Sequence, residues 1–158
     1  IDWIHNEKKQ TTFSIESNML AILFEIPTKS QTKKTIEYLL NENIITKFGC
    51  PVVYEKYTYN QIYTPFIPLG MSDYHNGLIW FWISCITAVV LHYNNYDKEA
   101  ISLLNIMSNK INKHQTVYEV YTKKGIPVNR LFYKSEKGFS WSAGLFVWAC
   151  NKLGIEQP

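Results

Sequence analysis

The chain has little excess of either positive or negative charge, and this argues against a nucleic-acid partner. The 16 basic and 13 acidic residues leave a formal net charge of only +3. These residues are scattered along the sequence, with no basic run that could follow a phosphate backbone. We therefore expect no nucleic-acid partner.

Cysteine is also scarce, and its spacing is uninformative for metal or disulfide chemistry. Cys50, Cys85 and Cys150 are odd in number and far apart, so they indicate neither a disulfide framework nor a metal site. The four histidines have no metal-ligand spacing either. We expect buried free thiols, no metal, no cofactor and a reducing, cytoplasmic compartment.

Apolar runs of membrane-spanning length are missing as well. The longest run, 78–93, is shorter than the roughly 20 residues that a bilayer requires, and it contains Ser84, Thr87 and His92. It predicts a buried helix, and no membrane partner is expected. The chain begins with neither an initiator methionine nor an apolar signal core. We interpret residues 1–158 as a single domain that is the C-terminal fragment of a larger catalytic domain.

The chain does contain a repeated pairing of an apolar helix with an amphipathic helix. Residues 18–26 are apolar nearly all round and stop at Pro27, which cannot continue a helix. Thr28 and Gln31 then have the spacing of a capping box, which predicts an amphipathic helix over 29–43.

The same pair recurs later in the chain. An apolar helix over 78–93 is followed by an amphipathic helix that begins behind Asp97 as its N-cap. A last apolar helix is predicted over 143–153, behind Ser140 or Ser142, and it ends at Gly154.

This alternation predicts an all-α fold in which inner and outer helices form two layers, a partial α/α toroid of about five helices. A plain helical bundle is the alternative, although its helices should mostly be one-faced. Long aromatic loops over about 44–77 and 112–140 fall at one end of the helices, and we expect them to build a cleft. Extended pieces such as 51–57 are expected to pair within the first loop.

The first loop ends in a segment suited to binding a neutral sugar. Ser72-Asp-Tyr-His-Asn-Gly-Leu-Ile-Trp-Phe-Trp82 leads into the mouth of an apolar helix. Aromatic faces stack on sugar rings, and an amide can both donate to and accept from vicinal hydroxyls. The alternative is structural: Asn76 and Gly77 form a turn, and Trp80 and Trp82 belong to the core.

The second loop contains the segment Val117-Tyr-Glu-Val-Tyr-Thr-Lys-Lys-Gly-Ile-Pro127, in which Glu119 has apolar and aromatic neighbours. Partial burial tunes a carboxylate for proton transfer. A lone glutamate is otherwise more often a solvated or salt-bridged residue.

Together these segments resemble the motifs of α/α-toroid glycoside hydrolases. Residues 74–80, Tyr-His-Asn-Gly-Leu-Ile-Trp, resemble the Tyr-His-Asn-Gly-x-x-Trp motif of glycogen-debranching amylo-α-1,6-glucosidases. Residues 119–127 and the Phe-Ser-Trp-Ser-Ala of 139–143 are similar to the Glu-x-Tyr/Phe-x-x-x-x-Gly and Trp-Ser/Thr pattern of glucoamylases and processing α-glucosidases. The resemblance is good over the C-terminal half of the chain and looser over 18–43.

This resemblance implies a six-hairpin toroid and an inverting hydrolysis of α-glucosidic oligo- or polysaccharides. It implies that Glu119 is the general base. It also implies a set of substrate-binding residues: Tyr74, His75, Asn76, Trp80, Tyr121 and Trp141. Phe81 and Trp82 replace the commoner proline-containing continuation, so the resemblance leaves the linkage open.

The family's general acid lies on a loop farther upstream than the residues that precede Glu119 here, and neither Asp73 nor Glu136 matches it. The resemblance therefore implies a portion of an enzyme that is inactive alone, with a carbohydrate and the rest of its parent polypeptide as partners. Uncovered apolar faces would then favour self-association as a homo-oligomer. The alternatives are a non-catalytic carbohydrate-binding domain and a helical-repeat scaffold.

Overall fold

Five α-helices and three two-stranded antiparallel sheets form the part of the chain that this computed structural model describes, residues 4–5, 8–9 and 12–155. The helices are α1 Ile15–Leu23, α2 Lys29–Asn41, α3 Phe81–Tyr93, α4 Asp97–His114 and α5 Ser140–Lys152. The strands are β1 Ile4–His5, β2 Lys8–Lys9, β3 Phe13–Ser14, β4 Val53–Tyr54, β5 Ile79–Trp80 and β6 Val120–Tyr121. The chain is therefore mostly helical, and the sheets correct the prediction of an all-α class.

Helix α3 is the centre of the core. Every residue over 83–91 is buried, and the helix packs against α1, α4 and α5. Burial on all sides explains why this segment is apolar all round, as the sequence predicted. Among the described residues, no helix has both the length and the apolarity to cross a membrane.

Helices α2 and α4 have one buried face each, as predicted. The buried residues of α4 recur at helical spacing, and its other face carries most of the helix's charges. The capping box of α2 is confirmed, because the Thr28 side chain accepts from Gln31 N at 3.3 Å while Thr28 N donates to the Gln31 amide at 2.9 Å. Asp97 is the first residue of α4 and not its N-cap, which is Tyr96.

Helices α1, α2 and α5 also have boundaries that differ from the prediction. Helix α1 begins three residues early, because the Ser14 hydroxyl accepts from Ser17 N at 3.2 Å, and it ends at Leu23. Helix α2 ends at Asn41. Helix α5 begins at Ser140 behind Phe139, so Ser140 and Ser142 lie inside the helix and neither is its cap. Gly154 follows α5 with a φ of +66°, as expected for a residue that ends a helix.

The two long loops meet at the N-terminal end of α3. Strand β5 pairs with β6, with Ile79 opposite Tyr121 and Trp80 opposite Val120, and this pairing is the reason that α3 begins at Phe81 instead of at residue 78. Strand β4 pairs with β3, outside its own loop, so the prediction that 51–57 pairs within the loop is wrong.

One buried hydroxyl fixes the first loop on α3. Cys50 N donates to Ser84 Oγ at 2.9 Å, and Ser84 Oγ donates to Trp80 O at 3.3 Å. Gly49 reaches this place with a φ of +112°, and a Cβ there would lie 2.7 Å from Met107 Cε. A Cβ at position 49 would also lie 2.8 Å from Ser84 Oγ. Glycine is therefore required for the loop to come this close to α3.

We expect Ser84→Ala to destabilise the fold by about 1–3 kcal/mol, because the buried Cys50 N–H would lose its acceptor. The matched control is Thr87→Val, since the buried Thr87 hydroxyl donates to Ile83 O at 2.8 Å and its removal leaves no backbone donor unpaired. Urea unfolding of both variants measures the difference. Equal losses of stability would contradict this account of Ser84.

Candidate active site

Glu119 is held by its backbone between the second loop and the start of α3. Its N–H donates to Glu136 O at 3.0 Å, and its carbonyl accepts from Phe81 N at 3.4 Å. The next residue, Val120, donates from N to Ser135 Oγ at 3.0 Å. Glu119 is only 8% exposed, so its position is set by buried backbone pairing.

Two tyrosine hydroxyls occupy the two oxygens of this carboxylate. Tyr74 OH donates to Glu119 Oε1 at 2.5 Å, and Tyr133 OH donates to Glu119 Oε2 at 2.9 Å. Tyr74 comes from the first loop and Tyr133 from the second. Among the described residues Glu119 forms no salt bridge. It is therefore neither a solvated nor a salt-bridged glutamate but a buried acceptor of two neutral donors.

Both tyrosines stay protonated at neutral pH. Burial raises the pKa of the Tyr74 phenol, and the hydrogen bond and charge of Glu119 raise it further. The same two causes, in the same order, raise the pKa of Tyr133. The phenols are therefore permanent donors that fix the orientation of the carboxylate.

Tyr133 belongs to the site although no motif predicted it. It is carried by a tight hairpin in which Arg130 N donates to Tyr133 O at 2.8 Å and Ser135 N donates to Val128 O at 2.8 Å. Strand β6 is only two residues long, so its sequence pattern does not predict that the chain turns back toward Glu119. The aromatic character of the loop over 112–140 was the signal that the sequence offered.

An ion pair ties the hairpin to the first loop. Arg130 Nη1 and Nη2 donate to the two carboxylate oxygens of Asp73 at 2.6 and 2.8 Å, and Nη1 also donates to Gly70 O. Asp73 is the neighbour of Tyr74, and Arg130 lies three residues before Tyr133. This bidentate ion pair therefore sets the distance between the two loops that carry Tyr74 and Tyr133.

A row of aromatic rings leads from Glu119 to the surface. Tyr74 lies 4.9 Å from Trp80 between ring centroids, and Trp80 lies 6.4 Å from Trp82, which lies 6.1 Å from Trp141. His75 stacks on Trp80 at 4.9 Å and 23°. Trp141 is 63% exposed and Trp80 only 6%, so the outer end of the row is open to solvent and Trp80 belongs to the core.

Two residues that were predicted to bind the substrate, Asn76 and Tyr121, are buried parts of the structure instead. Asn76 is buried, and its amide accepts from Tyr57 N at 2.6 Å and donates to Tyr57 O at 3.0 Å and Ser72 O at 3.3 Å. It holds the first loop together. Tyr121 is fully buried, so the expectation that it contacts a sugar is corrected: its ring packs in the core against Phe81 and His114.

No metal site is found among the described residues, since no three His, Cys, Asp or Glu side chains there group closely enough to hold an ion. Cys50, Cys85 and Cys150 are free and buried, as expected.

A cavity of about 960 Å³, lined by residues such as Ile22, Lys29 and Tyr93, lies at the end of α3 away from Glu119.

No protein-family model and no curated protein matches this chain. The function of the chain is therefore inferred from the geometry of the site.

The free energy of unfolding should decline as pH rises above about 10, because the folded state retains protons on Tyr74 and Tyr133 that the unfolded state releases. A tyrosine in an unfolded chain has a pKa of about 10, and the folded values of these two are raised. Above that pH the unfolded state binds fewer protons, so stability is lost. We expect the double variant Tyr74→Phe/Tyr133→Phe to lose stability less steeply with pH, as measured by urea unfolding at several alkaline pH values.

The matched control is the double variant Tyr59→Phe/Tyr63→Phe, which changes two tyrosines that are each 69% exposed and lie outside this network. It should keep the slope of the unchanged chain. The same slope in all three proteins would contradict the raised pKa of the site tyrosines.

Proposed function

We propose that this chain is the C-terminal portion of an inverting glycoside hydrolase that acts on α-glucosidic oligo- or polysaccharides, with Glu119 as the general base. The observation that carries the proposal is the nearly buried carboxylate of Glu119, which two tyrosine hydroxyls orient at the inner end of a row of aromatic rings.

The arrangement suits a base that activates water. Each carboxylate oxygen has a second lone pair beyond the one that accepts from Tyr74 or Tyr133, and this lone pair is free to take a proton from a water molecule. In an inverting reaction that water attacks the anomeric carbon from the face opposite the leaving group. Neutral phenols hold the carboxylate, and no cation within the described part of the chain forms a salt bridge with it.

The aromatic row supplies a surface for the sugar. Tyr74 and His75 lie beside the carboxylate end of the row, and Trp82 and Trp141 continue it toward solvent. Ring faces pack against the C–H faces of pyranose rings without requiring a charge. Asn76 contributes indirectly, because its amide fixes the loop that carries Tyr74.

The general acid is supplied, in this proposal, by a part of the parent enzyme outside the chain. Asp73 is not a suitable acid: burial alone would raise its pKa, but the hydrogen bonds and charge of Arg130 outweigh burial and lower it. Asp73 is therefore ionised at neutral pH. Glu136 matches no motif of the family acid, although its backbone carbonyl accepts from Glu119 N.

The toroid belongs to the same proposal. A helix buried on all sides, α3, stands in chain order between the one-faced helices α2 and α4, as two layers require, whereas α1 buries only Ile15, Met19 and Ile22. Helix α5 is rich in apolar residues, yet its buried residues are only Ser142, Ala149 and Cys150. Further hairpins of a toroid would cover the rest of α5.

A non-catalytic carbohydrate-binding domain is the second candidate, and the exposed ring of Trp141 favours it. Such a domain would use the aromatic row without the carboxylate. The two candidates differ in what Glu119 contributes.

We expect Glu119→Gln in the parent enzyme to lower the rate of hydrolysis by about 10²–10⁴-fold, which is the usual contribution of a general base. Proton NMR of the first product of the unchanged enzyme should show the β-anomer. The 158-residue chain alone should hydrolyse neither maltose, trehalose nor a branched dextrin. Hydrolysis by the chain that Glu119→Gln abolishes would contradict its inactivity, and retention of configuration would overturn the inverting assignment.

Sugar binding by the chain, followed by calorimetry, separates the two candidate functions. Trp141→Ala should weaken binding in both. A parent enzyme in which Glu119→Gln leaves hydrolysis unchanged would exclude the catalytic role and leave the binding role.

We also expect the isolated chain to self-associate, because several large apolar side chains lie open to solvent. Phe24 is 69% exposed, Ile26 76% and Trp141 63%. Sedimentation velocity over a range of concentrations should show an association that Trp141→Ser weakens. A single monomer boundary at every concentration would contradict this expectation.

A further inference from the structure

A cavity of about 190 Å³ lies beside the C-terminal half of α4, and all the charged residues that line it are basic. They are Lys47, Lys110, Lys113, His114 and Lys124. They come from three separate parts of the chain: the loop after α2, helix α4 and the turn after β6. No acidic residue of the described ranges lines the cavity.

Lys110 is the anomaly in this cluster. It is only 6% exposed, and its ammonium donates to Gly125 O at 3.3 Å. An ammonium has three donors, and the described residues provide no carboxylate partner. The rings of Tyr121, at 4.0 Å, and Phe48, at 5.8 Å, offset part of the desolvation. A buried cation without a counter-ion remains costly.

One residue of the lining, His114, carries a polar atom that has no partner among the described residues. Nε2 of His114 is buried and forms no hydrogen bond with the residues that the structure describes. Burial and the charge of Lys113 lower the pKa of Lys110 to about 8. Burial, Lys113 and Lys110 lower the pKa of His114. The basic groups therefore repel one another, and a bound anion would relieve the repulsion.

The helix C-terminus explains only part of this charge. Lys113 and His114 stand in the last turn of α4, where basic residues commonly complement the helix dipole. That effect does not account for the burial of Lys110, nor for Lys47 and Lys124, which other segments bring to the same cavity.

The backbone around the cavity is already ordered. Gly125 has a φ of +71°, and a Cβ there would lie 2.5 Å from the Phe48 ring, so the turn packs closely on the first loop. Gly125 N and Thr122 O close this turn at 2.8 Å. Little conformational entropy would be lost when a ligand binds here.

We propose that this cavity binds a small oxyanion of the phosphoryl class, either free phosphate or the phosphate group of a small monoester, with the Lys110 ammonium and the His114 ring as its inner contacts. The volume exceeds that of several water molecules at about 30 Å³ each, which is enough for a tetrahedral anion. Lys47 and Lys124, both exposed, complete the charge at the rim. This site is independent of the function proposed for Glu119.

Sulfate is the probe for the first test, because its charge does not change with pH. Calorimetric titration of the full chain at constant ionic strength should show saturable sulfate binding, and Lys110→Met should weaken it by about tenfold or more. Methionine keeps the length and apolar stem of the side chain. The control is Lys33→Met, which removes an exposed lysine that pairs with Glu37 on α2 and should leave sulfate binding unchanged.

Lys124→Gln is the second variant, because an exposed position does not endanger folding; it should weaken binding by a smaller factor. Sulfate binding should also weaken from pH 7 to pH 9.5, since burial and the charge of Lys113 lower the pKa of Lys110 to about 8 and Lys110 loses its proton in that range. The absence of saturable binding, or equal binding by Lys110→Met and the unchanged chain, would overturn the proposal.

Inorganic phosphate and glucose 6-phosphate, with glucose as the uncharged reference, distinguish the two sources of the anion. Tighter binding of the sugar phosphate than of phosphate, lost in Lys110→Met, assigns the site to a monoester. Equal binding of the two assigns it to free phosphate. Binding of glucose that equals that of glucose 6-phosphate and persists in Lys110→Met would show that the phosphoryl group is not recognised, and would overturn the proposal.

Discussion

The pairing of β5 with β6 is the constraint on which the candidate site depends. Helix α3 begins behind Trp80 without a side-chain cap, and its first N–H, that of Phe81, is satisfied by the carbonyl of Glu119 from the distant second loop. One residue thus caps the central helix with its backbone and offers its carboxylate to the site. Because α3 is the most buried element, the carboxylate inherits the rigidity of the core.

The side chains around Glu119 form one connected hydrogen-bond network, which the pairing of β5 with β6 supports. Arg130 donates two hydrogen bonds to Asp73. Tyr74 and Tyr133, which lie close to this pair in sequence, donate to the carboxylate of Glu119. The charges of Arg130 and Asp73 compensate each other, whereas the described residues give the Glu119 carboxylate only neutral donors. A cation beside Glu119 would instead stabilise its ionised form and make it a weaker base.

Features within one turn of the chain were predictable from the sequence, and features that join distant segments were not. The capping box of Thr28 and Gln31 spans three residues, and the periodicity of α4 is local, so both were read correctly. The start of α3 was placed too early because the pairing of β5 requires a partner far along the chain. The motif resemblance predicted Glu119 and Tyr74, which the structure brings together, but it could not predict that a hairpin returns Tyr133 to them. It also could not show that the Asn76 amide is already hydrogen-bonded to backbone atoms. Side-chain type does not reveal which hydrogen bonds are already made.

Strand β6 and the turn after it separate two opposite charges that a merely structural segment would pair. Glu119 precedes the strand and is held by phenols, while Lys110 lies against the ring of Tyr121 and donates to Gly125 in the turn. Neutral partners leave each charge partly uncompensated, which costs stability when the charge is buried. Bringing the two together, or replacing both by apolar residues, would remove that cost. The two proposed functions would use these charges: Glu119 would take a proton from water, and Lys110 would bind an anion.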